Sequence, residues 1–170
     1  MPAVYVAFDV PPDRLPSVLP AMRDMGFAGV NLTVQLKEKA FQFLTDLAPS
    51  ARLLGAVNTV EFLTDSGMRG HNTDGEGFLL AIRDSFDLAP RGLRVFVLGS
   101  GGAGRALALT CASAGAASVT VADMLPGKAG KVADEIARLF PAVAGRALGT
   151  DRDAWIQSAA NAELLIQAST

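Results

Sequence analysis

Gly99-Ser100-Gly101-Gly102-Ala103-Gly104 is the stretch of this 170-residue chain whose residue types and spacing bear most directly on chemistry, because it fits G-x-G-x-x-G. It closes an apolar run of Val95, Phe96, Val97 and Leu98 and opens an alanine-rich stretch, the strand-turn-helix setting that the pattern requires. Gly99 allows a tight turn, Gly101 lets the backbone approach a pyrophosphate, and Gly104 permits close helix-strand packing while the helix amides face the phosphates. Ser100, Gly102 and Ala103 complete the expected cofactor-binding set. The plain alternative is a glycine-rich turn kept for packing alone. Asp123 follows about 20 residues beyond the last glycine, the separation expected of an acid that reads the adenosine ribose. A carboxylate there accepts from both ribose hydroxyls and repels a 2′-phosphate, so NAD is the expected cofactor, ahead of NADP. The alternative makes Asp123 a solvated strand-end acid or part of the turn before Pro126.

Strand and helix patterns alternate along the whole chain and supply the elements that must position these residues. Residues 3–10 (AVYVAFDV) read as a buried strand, 13–25 as a helix stopped by Gly26, 27–34 as a second strand, and 37–47 as a second helix ended by Pro49. Residues 57–62 and 68–72 flank the turn-rich Thr64-Asp65-Ser66-Gly67, which predicts an antiparallel pair at the edge of an otherwise parallel sheet. A helix carrying Phe78, Leu79 and Ile82 follows Thr73-Asp74-Gly75 and stops near Pro90. The domain boundary is expected there, with residues 1–90 in one domain and 91–170 in the next. Strands at 94–98, 118–122 and 162–166 then alternate with helices at 103–114, 128–140 and 151–159. The fold class is therefore α/β, with a parallel sheet in a Rossmann-like dinucleotide-binding second domain.

Half of the chain is apolar, ample for a packed core, and its 15 basic and 17 acidic side chains leave a formal charge of −2. Those charges are dispersed, so no electrostatic footprint for nucleic acid or a membrane surface is present, and a small molecule is the expected partner. Cys111, the single cysteine, cannot form an internal disulfide. With no leader pattern or apolar run of spanning length, a soluble cytoplasmic setting is expected. No metal site is expected.

Three segments ahead of the glycine turn are legible together: Asn31-Leu32-Thr33-Val34-Gln35-Leu36-Lys37-Glu38, Gly55-Ala56-Val57-Asn58-Thr59, and Asn72-Thr73-Asp74-Gly75-Glu76-Gly77-Phe78. In order and spacing they resemble three motifs of the shikimate dehydrogenase family, and with the glycine turn the resemblance spans nearly the whole chain. It implies a substrate domain in residues 1–90 followed by the nucleotide domain, and oxidation of a ring hydroxyl of shikimate or a close relative. By the same resemblance Lys37 and Asp74 perform the acid-base work and also contact substrate. Asn58 and Thr33 hold substrate groups. The chemistry is coherent on its own terms, since an amine held beside a carboxylate can be oriented toward a reacting oxygen. Plainer roles stand beside these: a solvated helix-start lysine for Lys37, a helix cap for Asp74, and turn or strand-end bonding for Asn58 and Thr33. Asn31 and Asn72 are read as loop-forming, His71 as a surface or core residue, and Gly75 and Gly77 as points of close backbone approach to a ligand or to the other domain.

The chain departs from the family pattern at particular places. Gln35 stands where a proline is common. Ala122-Asp123-Met124 stands where NADP-using members carry an Asn-Arg-Thr type of segment, which resembles the NAD-preferring quinate/shikimate branch and widens the substrate class to quinate and aminoshikimate-type rings. Relative to the family both ends look incomplete: no Ser-x-Ser segment precedes Ala3, and the chain ends at Ile166-Gln167-Ala168-Ser169-Thr170. Besides the dehydrogenase, two expectations remain open: a non-catalytic NAD-binding fragment, and an aminoshikimate-type enzyme. A homodimer is a possible assembly.

Overall fold

The computed structural model describes residues 3–125 and 127–169; Pro126 and Thr170, which enter the turn and the terminal segment named above, lie outside the described residues. The chain divides into two compact units, one ending at Thr73 and the other beginning at Asp74.

In the first unit, residues 3–10 form neither strand nor helix, and Val4 and Tyr5 are 89% and 80% exposed. This corrects the expected buried strand: β-branched and aromatic residues fit a pleated surface, but they make a strand only where a neighbouring backbone completes the ladder. A single 3-10 turn at Pro12–Arg14 leads into α1 (Leu15–Asp24), which buries Leu15 and Leu19 fully. Gly26 stops it at φ 84°, with its amide donating to the Arg23 carbonyl and the Phe27 amide to that of Met22. There follow β1 (Gly29–Asn31), α2 (Gln35–Phe43), β2 (Asp46–Leu47), α3 (Pro49–Leu54), β3 (Thr59–Phe62) and β4 (Met68–His71). Pro49, read as a helix stop, instead occupies the first turn of α3, where its missing N–H costs nothing, and Gly55 ends that helix in the left-handed region.

The sheet order is β1-β3-β4-β2, with β1/β3 and β3/β4 antiparallel and β2/β4 parallel. The β3-β4 pair is antiparallel as expected, but it forms the middle of a mixed sheet and not an edge. Leu15, Leu19, Leu32, Ala40, Leu44, Ala51, Val57 and Val60 make the core beneath it. Packing is tight enough that a Cβ on Gly70 of β4 would lie 2.7 Å from Val57 and 2.9 Å from Leu47.

The second unit contains α4 (Asp74–Phe86), β5 (Arg94–Leu98), α5 (Gly102–Ser113), β6 (Ser118–Ala122), α6 (Lys128–Leu139), β7 (Ala144–Leu148), α7 (Arg152–Ala160) and β8 (Leu164–Gln167). All its strands are parallel, in the order β7-β6-β5-β8. Val95, Phe96, Val97, Val119 and Val121 fill the two central strands, as the apolar runs require of a sheet covered on both faces. Because β6 and β7 lie on one side of β5 and β8 on the other, the chain reverses direction across the sheet at β5, the Rossmann-type switch point beside which ligands bind. β7 was not expected. Helix α4 lies on α5 so closely that a Cβ on Gly75 would stand 2.5 Å from the Thr110 hydroxyl, whereas Gly77 faces open space. That packing is why the compact division falls at Thr73/Asp74 and not at residues 90/91. Among the described residues no helix is long and apolar enough to cross a membrane.

Candidate functional site

In the second unit the glycine turn sits between the end of β5 and the start of α5. Gly99 has φ 99°, and a Cβ there would lie 2.7 Å from the Ala168 carbonyl carbon, so this position requires glycine for both conformation and space. A Cβ on Gly104 would collide with the Gly99 carbonyl oxygen, which is the close helix-strand approach expected of the third glycine. Gly101 and Gly102 are the opposite case: a Cβ on either meets nothing within 4 Å, and both are exposed with Ala103 at the first turn of α5. No side chain caps that helix start. Open backbone, partial positive charge and lack of side-chain bulk together suit a pyrophosphate, so the turn fits a dinucleotide on its own geometry.

Asp123, just past β6, is turned into this loop. Its Oδ2 accepts from the Ser100 amide at 2.8 Å and the Ser100 hydroxyl at 2.6 Å, and its Oδ1 accepts from the Leu125 amide at 2.8 Å. The Ser100 hydroxyl, followed by the Leu125 amide, holds the carboxyl below the ordinary carboxylate range, and Lys128 adds a smaller push in the same direction. In the first turn of α5, Arg105 makes a two-pronged ion pair with Glu135 of α6, at 2.8 Å and 2.7 Å. Sequence reading did not find that pair; the two residues lie on different helices, and no local pattern links them.

In the first unit three sequence segments meet through hydrogen bonds. The Val57 amide donates to the Lys37 carbonyl at 3.0 Å and the Leu32 amide to the Asn58 carbonyl at 2.8 Å, so both flanks of the Thr33 loop are tied to the strand entry at 57–58. Between those ties Val34 stands at φ 47°, an outlier for a β-branched residue that costs on the order of 1–3 kcal/mol. Thr33 is exposed and lines a cavity of about 250 Å³ together with Tyr5, Asn31 and apolar side chains of α1 and β1. Lys37 is half-buried in the first turn of α2. Asn58, 8% exposed, receives the Thr73 amide and the Thr59 hydroxyl on Oδ1, while its Nδ2 donates to the Thr73 hydroxyl, each at 3.0 Å. Asn31 donates to Thr59 at 3.0 Å and accepts from Tyr5 at 3.2 Å, extending the polar chain. Tyr5, Thr59 and Thr73 were given no site role from sequence; Thr59 and Thr73 lie within the quoted segments, whereas Tyr5 is remote from them along the chain and carries no local signal.

Asn72 is buried and bonds the Ala56 carbonyl and the Ser50 hydroxyl, the loop-forming role expected of it. His71 pairs with Glu61 at 3.1 Å on the sheet. The first unit thus ties the segments that carry Thr33, Lys37 and Asn58 to one another by backbone bonds, and the second joins Ser100 to Asp123. Asp74 is the exposed first residue of α4.

Residues 1–60 match the family model described as the shikimate dehydrogenase substrate binding domain. A shikimate dehydrogenase (NADP(+)) from Methanopyrus kandleri is 39% identical over 166 residues, which is 98% of this chain and 57% of that protein. Among solved structures, a Listeria monocytogenes shikimate 5-dehydrogenase in complex with shikimate and NAD superposes with TM-score 0.88 at 26% identity, over 98% of this chain and 58% of that one. A ligand-free 5-ketofructose reductase from a Gluconobacter strain superposes with TM-score 0.82 at 33% identity, over 95% of this chain and 56% of that one. The chain spans about half the length of the curated relatives it matches.

The expectation of NAD ahead of NADP, and with it the NAD-preferring branch, is corrected. The closely matching curated relatives carry NADP(+) in their names. The carboxylate on which that expectation rested accepts from Ser100 and Leu125. With matched motifs, matched fold and these relatives in agreement, the chain belongs to the shikimate dehydrogenase family.

Proposed function

We propose that this chain carries the working residues of a dehydrogenase that interconverts the ring hydroxyl of shikimate and the corresponding ketone. The observation that carries this reading is the backbone bonding of the Thr33–Lys37 segment to the strand entry at 57–58 within one unit, in the segments that carry the family resemblance. When bound, a nicotinamide dinucleotide supplies the hydride acceptor, and the cofactor named for the relatives, NADP(+), is the one we assign. Gly101, Gly102 and Ala103 would hold its pyrophosphate through backbone amides, with Ser100 fixing the turn behind them. Lys37 and Asp74 exchange the proton of the reacting hydroxyl. Thr33 and Asn58 orient the substrate ring by hydrogen bonds, which sets the carbon to be oxidised in one position.

Quinate is the second substrate in this class, and a cytoplasmic homodimer is the assembly we assign. The 5-ketofructose reductase among the structural neighbours adds one further ketone to be compared. Turnover should be assayed with shikimate, quinate and 5-ketofructose, each with both cofactors. Lys37→Ala and Asp74→Asn are each expected to lower the shikimate rate by about a hundredfold or more. Unchanged rates in both variants would end the acid-base assignment, and dinucleotide binding without turnover of any substrate would leave a binding chain only.

A further inference from the structure

We infer that Asp123 is a positioning residue of the glycine turn, holding it through Ser100, and is not the reader of the adenosine ribose. A carboxylate offers about four lone-pair directions. Three are used inside the protein, by the Ser100 amide, the Ser100 hydroxyl and the Leu125 amide. About one direction is left, on Oδ1, fewer than the two that both hydroxyls of one ribose would occupy. Ser100 is 8% exposed and is the second residue of the turn, so its two bonds to Asp123 set the direction in which the Gly101 and Gly102 backbone faces. The Gly99 amide adds a bond to the Ala122 carbonyl at 2.8 Å, so the end of β6 grips the turn at two successive residues. Charge-assisted bonds of this kind are the strong ones, and an Asp123 carboxyl held below the ordinary carboxylate range agrees with a carboxylate stabilised by donors. Discrimination between the two nicotinamide dinucleotides then belongs to groups other than Asp123.

This inference rests on the dinucleotide reading given above, and its test separates the two. NADP and NAD binding should be titrated calorimetrically against the wild-type chain, Asp123→Asn and Ser100→Ala, and amide hydrogen exchange at Ser100 and Leu125 measured in the ligand-free proteins. Both variants are expected to weaken both dinucleotides by about tenfold, with the ratio of the two affinities changing less than about twofold. In Asp123→Asn, exchange at Ser100 and Leu125 is expected to accelerate by about tenfold or more without ligand. An Asp123→Asn protein that shifts toward NADP by about tenfold while Ser100 protection is unchanged would overturn the inference and restore the ribose role. If the wild type bound neither dinucleotide, the cofactor reading would fall, while the exchange measurement would still decide whether Asp123 holds the turn.

Discussion

Asn58 and Thr73 hold each other reciprocally: the Thr73 amide donates to Asn58 Oδ1 and the Asn58 amide group donates to the Thr73 hydroxyl, both at 3.0 Å. The pair joins the residue before β3 to the second residue after β4, closing the end of the central antiparallel ladder with side-chain bonds where backbone pairing stops. Asn58→Ala leaves the Thr73 amide and the Thr59 hydroxyl without that acceptor. We expect a loss of about 1–3 kcal/mol, read as a lowered midpoint in urea unfolding. A midpoint equal to that of the wild type would contradict it.

The four glycines of the phosphate-type turn divide by surroundings into two that cannot take a side chain and two that can. Gly104→Ala drives a methyl into the Gly99 carbonyl, and Gly99 is itself backed by Ala168 and Ser169, so the collision has nowhere to relax. A loss of about 2 kcal/mol or more is expected. Gly102→Ala, with open space at its Cβ, should stay within about 0.5 kcal/mol of wild type. Thermal melts of the two variants test the contrast, which equal melting temperatures would refute.

Arg105 and Glu135 link α5 to α6 through two short bonds, with side chains 31% and 21% exposed. Solvent screens such a pair only in part, and its forked geometry favours the upper end of what exposed pairs contribute. A double-mutant cycle of Arg105→Ala and Glu135→Ala should return a coupling of about 1 kcal/mol, weakened in high salt. Additive losses would show that the pair is ornamental to α5.

Cys111 is fully buried in α5, and burial pushes its thiol up to about 12 from an ordinary 9.0. Iodoacetamide should therefore leave the native chain unlabelled and react only as urea unfolds it. The linkage has a definite sign. The unfolded thiol ionises first, so stability falls as pH rises past 9.0 and this contribution stops growing near 12. Cys111→Ala should remove that part of the alkaline loss, measured by unfolding at successive pH values; an unchanged pH slope would speak against the thiol as its source.

Local chemistry determined a great deal of this protein. The run Val95 to Leu98 followed by Gly99 and an alanine-rich stretch can be little else than strand, turn and helix, and Gly26 stops α1 because only a residue without Cβ takes φ 84° freely. The strand-turn-helix setting likewise pointed to the glycine turn, and the resemblance of three short segments to a family pattern pointed to Lys37 and Asn58. Other features depend on partners far along the chain. Residues 3–10 have strand composition and no ladder, and the modest apolar content of Ala144–Leu148 hid β7, because both outcomes turn on whether an adjacent edge is available. Asp123 stands where spacing places a ribose-binding acid, but spacing locates a Cα and does not aim a carboxylate. The Leu125 amide is a local turn partner two residues on, but only the folded loop brought Ser100 to the carboxylate, and the three donors together decided which way it points.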